Sequence, residues 1–320
     1  MEAMIITVKG AVRPEELGFC QPHEHLFVAE GPSTRVYPAL LIDDVKKSTA
    51  DAVSFALAGG SAVTDAQPVF TGRDARALKE ISEASGVNII ASTGFHKLVY
   101  YREGCPVPEM EEEELAELFT GEIKEGMYAG PYYSDAPERT AIRAGQIKAA
   151  LEPEFNITHK KLFKAAARAS AATGAPIMVH VDEGADPLAL LGFLAGLGVP
   201  AEKQIYCHLD RAESDVSVHK AIAGAGAFLE YDTVMRPKYR SEDAEMGLVL
   251  HMAEEGYAGR MLMSLDTTRE RLKGYGGAPG LDYIITRFIP GLKGRGMDDG
   301  AVKTIFLDNP AAVYACGGQD

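Results

Sequence analysis

The strongest constraint on the fold is a rhythm along the chain. Eight short apolar, β-rich runs lie near 17–26, 61–68, 88–95, 145–151, 176–181, 204–209, 227–232 and 261–265. Between most of them fall amphipathic stretches of helical period, such as 160–172, 187–197 and 241–255. Antiparallel neighbours can be joined by a tight turn, whereas parallel neighbours need a long crossover. Connections of roughly 20–50 residues therefore predict parallel pairing. Eight such units predict an α/β fold, a closed (β/α)8 TIM barrel rather than an open sheet. Ahead of the first unit, Ile5-Ile6-Thr7-Val8, a Lys9-Gly10 turn and a second short strand predict a small N-terminal β-hairpin. No linker, low-complexity segment or solenoid repeat divides the chain, so residues 1–320 read as a single barrel domain.

Composition narrows the partners. The net charge of -14 disfavours nucleic acid and anionic membrane surfaces. No apolar run approaches the ~20 residues of a membrane span. The first residues lack the basic region, apolar stretch and cleavage site of a signal peptide. Cys20, Cys105, Cys207 and Cys316 form no CxxC pair and read as reduced thiols. A soluble cytoplasmic protein acting on a small molecule is expected. The longest crossover, 97–143, carries an acidic stretch at 109–117, which reads as a solvated helix face.

In a barrel of this kind the site lies at the C-terminal mouth, so the residues at strand ends matter most. The first run contains Gln21-Pro22-His23-Glu24-His25, and residues two apart on a strand share a face. The fifth run ends in His180, the sixth in His208 and the eighth in Asp266. The third ends at His96, a candidate to face the pocket. One strand-end histidine is commonly a hydrogen-bonded core residue, but four converging with a carboxylate make a site for Zn²⁺ or a similar divalent ion. His159, His219 and His251 fall on helices or helix starts and read as structural. Lys148 lies inside the otherwise apolar fourth run. Burial favours its neutral amine, which beside two cations can take up CO₂ as a bridging carbamate; pairing with a buried carboxylate is the alternative.

These stretches, with Thr93-Gly94-Phe95, Gly145-Gln146-Ile147-Lys148, Pro176–His180, Cys207-His208-Leu209, Ser264-Leu265-Asp266 and Asp308-Asn309-Pro310, resemble the phosphotriesterase family of the amidohydrolase superfamily over nearly the whole length. The resemblance implies a metal-dependent hydrolase with two divalent ions, Zn²⁺ or else Mn²⁺ or Co²⁺. It puts His23, His25 and Asp266 on the buried ion, and His180 and His208 on the more exposed one. It also implies that Lys148 is carboxylated and bridges both, that a metal-bridged hydroxide attacks the substrate, that Asp266 shuttles the proton, and that the chain forms a homodimer.

The substrate is read from the loops. Six basic residues lie in 235–240 and 267–277, after the seventh and eighth runs, where barrel enzymes frequently bind phosphate. Lys238, Arg269, Arg271 and Tyr275, with Tyr100 from the third loop, are the candidate phosphate contacts. The segment 275–283 resembles the phosphofuranose lactonases within the family. Position 96 is His where the organophosphate and long-chain lactone branches carry a bulky aromatic, and the chain has no Trp. The expected activity is hydrolysis of a phosphorylated sugar 1,4-lactone. Alternatives are a phosphotriesterase or neutral, acyl-homoserine-type lactone hydrolase, and a non-catalytic metal-binding or sensing barrel.

Overall fold

The computed structural model describes residues 2–101 and 104–316. An antiparallel hairpin, β1 (Ile5–Thr7) and β2 (Gly10–Val12), precedes eight parallel strands. These are β3 (Cys20–Glu24), β4 (Ala62–Asp65), β5 (Asn88–Gly94), β6 (Gln146–Leu151), β7 (Ile177–Val181), β8 (Gln204–Cys207), β9 (Phe228–Tyr231) and β10 (Met261–Met263). Each pairs with the next in chain order, as in a TIM barrel, and every strand lies within a run picked out by apolar patterning. Helices flank the sheet, including Ile157–Thr173, Pro187–Gly196 and Glu242–Glu254. The acidic stretch leads into the helix Glu112–Lys124, whose first three glutamates are mostly exposed while Leu115, Phe119 and Ile123 turn inward. No helix of the described residues is long and apolar enough to cross a membrane.

The barrel interior grades from apolar to polar. Cys20, Ala62, Ile90, Met178, Ile205, Phe228 and Leu262, one from each of seven strands, cluster with Ile5 of the hairpin and with Leu17, Val313 and Tyr314. On β6 the eighth place falls to Gln146, which bonds to Ser92 Oγ and Tyr314 Oη. Two residues further along β5 to β10 come Ser92, Lys148, His180, Cys207, Glu230 and Ser264, a polar layer nearer the C-terminal mouth. On β3 the parity breaks. Cys20 and His23 are three apart, and the pairing with β4 shifts register between Gln21 and Glu24. An irregularity of this kind re-aims the side chains beyond it, so His23 and His25 reach the centre although Cys20 already faces inward.

Glu24, between the two histidines, seals the barrel. β10 and β3 share no regular ladder, but Glu24 accepts from the amides of Leu265 (2.9 Å) and Thr267 (3.1 Å). The Asp266 amide reaches His23 O at 3.0 Å, and Thr267 Oγ1 bonds both the amide and the carbonyl of His25. Burial pushes the Glu24 carboxyl up to about 8, against the pull of its amide donors.

Candidate metal centre

All six predicted ligands meet at the mouth. His23 Nε2 and His25 Nε2 lie 3.6 and 3.5 Å from Asp266 Oδ1. Lys148 Nζ is 3.2 Å from His23 Nε2, and the lysine is fully buried. His180 Nδ1 faces His208 Nε2 at 2.7 Å, and the His23 and His208 rings are 5.0 Å apart. His208 and Asp266 have left-handed backbones (φ 68° and 49°), uncommon for side chains other than glycine and enriched at functional sites.

The tautomers follow from carboxylates outside the ligand set. His23 Nδ1 lies 3.3 Å from both Glu230 and Asp232, so its hydrogen sits there and the Nε2 lone pair faces the centre. His208 Nδ1 bonds Asp232 at 2.6–2.8 Å, and His180 Nε2 bonds Asp182 at 3.2 Å. His180 Nδ1 and His208 Nε2 therefore confront each other lone pair to lone pair. Such a contact is repulsive unless a cation lies between or beside the nitrogens, and neutral imidazole is the metal-binding form. Burial, reinforced by Lys148, lowers His23 to about 4. Burial also lowers His180 to about 4 and, with Arg211, takes His208 well below its usual value. His25 Nδ1 is buried with no partner. This donor set fits a metal, and His23, His25 and Asp266, and separately His208, Asp232 and Asp266, can each close on one ion.

Asp266 is divided between two environments. Its Oδ1 faces the histidines, while Oδ2 accepts from Arg236 at 2.8 Å and Arg211 at 3.2 Å. Arg236 also donates to the Asp266 carbonyl. Burial alone would raise this carboxyl, but Arg236, His25, His23 and Arg211 hold it well below the usual carboxylate range.

Above the ligands opens a cavity of about 290 Å³. Among the described residues its charged lining groups are Lys97, Arg211 and Arg236 with Asp182, Glu183 and Asp266, joined by Tyr37, Tyr100 and Tyr239. Among the described residues Leu40, Val181 and Ala212 are its only aliphatic contributors. His96 faces it as expected, packed against Tyr100 and His180 with ring centroids 4.7 and 5.1 Å away.

Of the five predicted substrate contacts the structure brings only Tyr100 to the cavity wall. Arg271 is buried and donates to Val234 O (2.6 Å) and Met235 O (3.0 Å). Arg269 donates to Leu41 O at 3.0 Å and lies over the Tyr275 ring. The Tyr275 hydroxyl contacts Asp44 N and O, and Ser48 Oγ at 3.0 Å. These three groups tie the loop after β10 to its neighbours through the terminal guanidinium nitrogens of Arg271, the Arg269 guanidinium and the Tyr275 hydroxyl. Lys238 stands outside the lining, 4.6 Å over the Tyr239 ring and 6.0 Å from Tyr37. Patterning overlooked Arg211, Lys97, Asp182, Glu230 and Asp232. Asp232 closes the seventh apolar run as Asp266 follows the eighth, so the same strand-end rule marks it. Arg236 belongs to the basic segment already noted. Asp182 follows the fifth run in the same way, and Glu230, like Lys148, is a charged residue inside an apolar run; Lys97 carries no comparable signal.

Comparison with known proteins agrees with this architecture. The model of the phosphotriesterase family matches residues 3–314. A phospho-furanose lactonase of Mycoplasmopsis synoviae is 30% identical over 97% of this chain and 91% of its own. An N-acetyltaurine hydrolase of Xenopus tropicalis is 26% identical over 97% of each chain. Among solved structures, an amidohydrolase from Mycoplasma synoviae superposes with TM-score 0.94 at 28% identity, covering 100% of this chain and 94% of that one. The phosphotriesterase homology protein of Escherichia coli, complexed with phosphate in its active site, superposes with TM-score 0.83 at 25% identity over 93% and 99%. The chain belongs to the phosphotriesterase family.

Proposed function

We propose that this chain is a binuclear metal-dependent lactonase that opens the 1,4-lactone of a phosphorylated sugar acid. The observation that carries the reading is the meeting of four imidazoles, Asp266 and Lys148 beneath a cavity whose wall includes Arg211 and Arg236. His23, His25 and Asp266 would hold one ion, and His180 and His208 the other. Among the described residues no carboxylate pairs with the buried Lys148, which favours a carbamate bridging the ions over a simple ion pair. Bound there, divalent ions supply Lewis acidity and bring a water's pKa near neutrality.

The chain's own groups divide the remaining work. Asp266 accepts the proton of the attacking water through Oδ1 and returns it to the ring oxygen as the acyl C–O bond breaks, leaving a hydroxy acid. Arg236 and Arg211 keep Oδ2 turned away from the reacting side. Glu230, Asp232 and Asp182 keep the imidazole hydrogens on the outer nitrogens. Arg211 and Arg236 give an anionic substrate positive charge at the cavity wall, in a protein whose net charge is -14. The cavity is at the small end for ligand sites and offers little aliphatic surface, which disfavours an acyl chain or an apolar triester. The phospho-furanose lactonase relative and the phosphate-bound neighbour support the same substrate class.

A substrate panel tests the reading: stereoisomeric pentono-lactone 5-phosphates, their dephosphorylated forms, an acyl-homoserine lactone, a phosphotriester and N-acetyltaurine. One lactone phosphate should exceed its plain counterpart in kcat/KM by about 10–100-fold, the worth of one or two charge-assisted hydrogen bonds. Equal turnover of the two removes the phosphate. Preference for N-acetyltaurine replaces phosphate by sulfonate. Loss of all hydrolysis with both ions bound leaves a sensing barrel.

A further inference from the structure

One pair of side chains at the rim takes part in neither metal ligation nor the proton path, yet it touches the exposed half of the centre. Lys97 lies three residues beyond the end of β5, and Asp182 directly follows β7. Lys97 Nζ is 2.5 Å from both carboxylate oxygens of Asp182, joining the third and fifth loops across the end of β6. The Asp182 amide is fixed to Leu151 O, at the end of β6, at 3.0 Å. Asp182 Oδ1 in turn accepts from His180 Nε2 at 3.2 Å. The backbone amide of Lys97 donates to His96 Nδ1 at 2.8 Å, and the His96 ring packs on His180. His180 is thus braced on one edge by an ion-paired carboxylate and on one face by a ring whose own orientation is pinned.

We propose that Lys97 and Asp182 are a positioning pair: together they hold the hydrogen of His180 on Nε2 and aim Nδ1 at the position it shares with His208. Lys97 then acts through Asp182 and not as a contact to the substrate's anionic group, although it lines the cavity. The pair sets how tightly the second ion is held. A carboxylate that orients a metal-bound imidazole commonly accounts for about 10–100-fold in metal affinity. This inference rests on the binuclear reading.

The test is metal content of the full-length holoenzyme after dialysis against buffered free Zn²⁺, together with the Co²⁺ absorption spectrum, for wild type, K97M, K97R, D182N and K97M/D182N. Wild type should hold two ions. K97M and D182N should each lose one ion at about 10–100-fold higher free Zn²⁺ than wild type, and keep the other. The double variant should lose no more than D182N alone, because both changes break one chain of contacts. K97R should restore most of the affinity, and K97M assayed at saturating metal should regain a near-wild-type KM. K97M that keeps both ions at wild-type affinity while KM rises would make Lys97 a substrate contact and overturn the proposal, as would additive losses in the double variant. A wild-type chain that binds fewer than two ions overturns the binuclear reading itself, an outcome seen before any variant is compared.

Discussion

At the residue scale, chemistry depends on single atoms being kept apart from their twins. Asp266 presents Oδ1 to His23 and His25 because two guanidinium groups occupy Oδ2. Asp266→Asn should leave the far-ultraviolet circular dichroism unchanged and lower kcat by about 10²–10⁴-fold, the usual worth of a positioned acid–base group. Turnover within about threefold of wild type would remove the role assigned to it. Gly94 matters for a different reason. Its φ is +93°, and a Cβ there would lie 2.0 Å from the Lys148 carbonyl, which bonds the Phe95 amide. Gly94→Ala should therefore cost at least about 2 kcal/mol in urea denaturation and reduce bound metal, because strand β5 can no longer close on β6 beside the lysine. The candidate ligands stand out in the sequence because they end or interrupt apolar runs. Their outer partners differ in this respect. Asp182 is two residues from His180 and meets it locally, whereas Glu230 and Asp232 meet His23 only after strands from distant parts of the chain are laid side by side.

At the scale of elements, the seam between β10 and β3 shows how one residue joins two strands that share no ladder. Glu24→Gln sets an amide donor against one of the backbone N–H groups now accepted by the carboxylate. The loss should be about 1–3 kcal/mol in an equilibrium melt, with both strand ends that carry candidate ligands loosened. The loop after β10 is the counterpart case. Arg271 looks in sequence like a phosphate ligand, but its guanidinium ties that loop to the one after β9 through the carbonyls of Val234 and Met235. Arg271→Met should accordingly lower Tm by several degrees, each lost charged hydrogen bond being worth roughly 1.5–3 kcal/mol. KM for a lactone phosphate should move by less than about threefold. A large KM effect without a change in Tm would return Arg271 to the binding site. Basic residues clustered in a loop announce a charge, but a guanidinium satisfies its donors on carbonyls as readily as on phosphate.

At the scale of the whole molecule, the barrel mouth gathers facing lone pairs and a buried lysine where the metal centre is proposed. Chelation should abolish hydrolysis and lower Tm, and Zn²⁺, Mn²⁺ or Co²⁺ should restore both. Each ion at about 1,000 times its Kd stabilises the folded state by about 4 kcal/mol. A chelated protein that melts at the holoenzyme temperature would count against the centre. The polar gradient along the barrel axis explains why stability and function coexist. The apolar layer at 20, 62, 90, 178, 205, 228 and 262 packs the closed end, so the polar layers above it need not contribute a hydrophobic core.

The sequence by itself determined the eight-unit parallel architecture, the hairpin before it and the side chains able to bind metal. Apolar periodicity and strand-end placement are local properties, carried by neighbours two to four residues apart. Tertiary structure alone decided which carboxylates set the tautomers of His23 and His208, how a register shift on β3 turned two histidines inward, and which cations reach the cavity. Those outcomes depend on distances between residues up to about 240 positions apart, as in the bond from Glu24 to Leu265, and only the closed barrel brings such groups together.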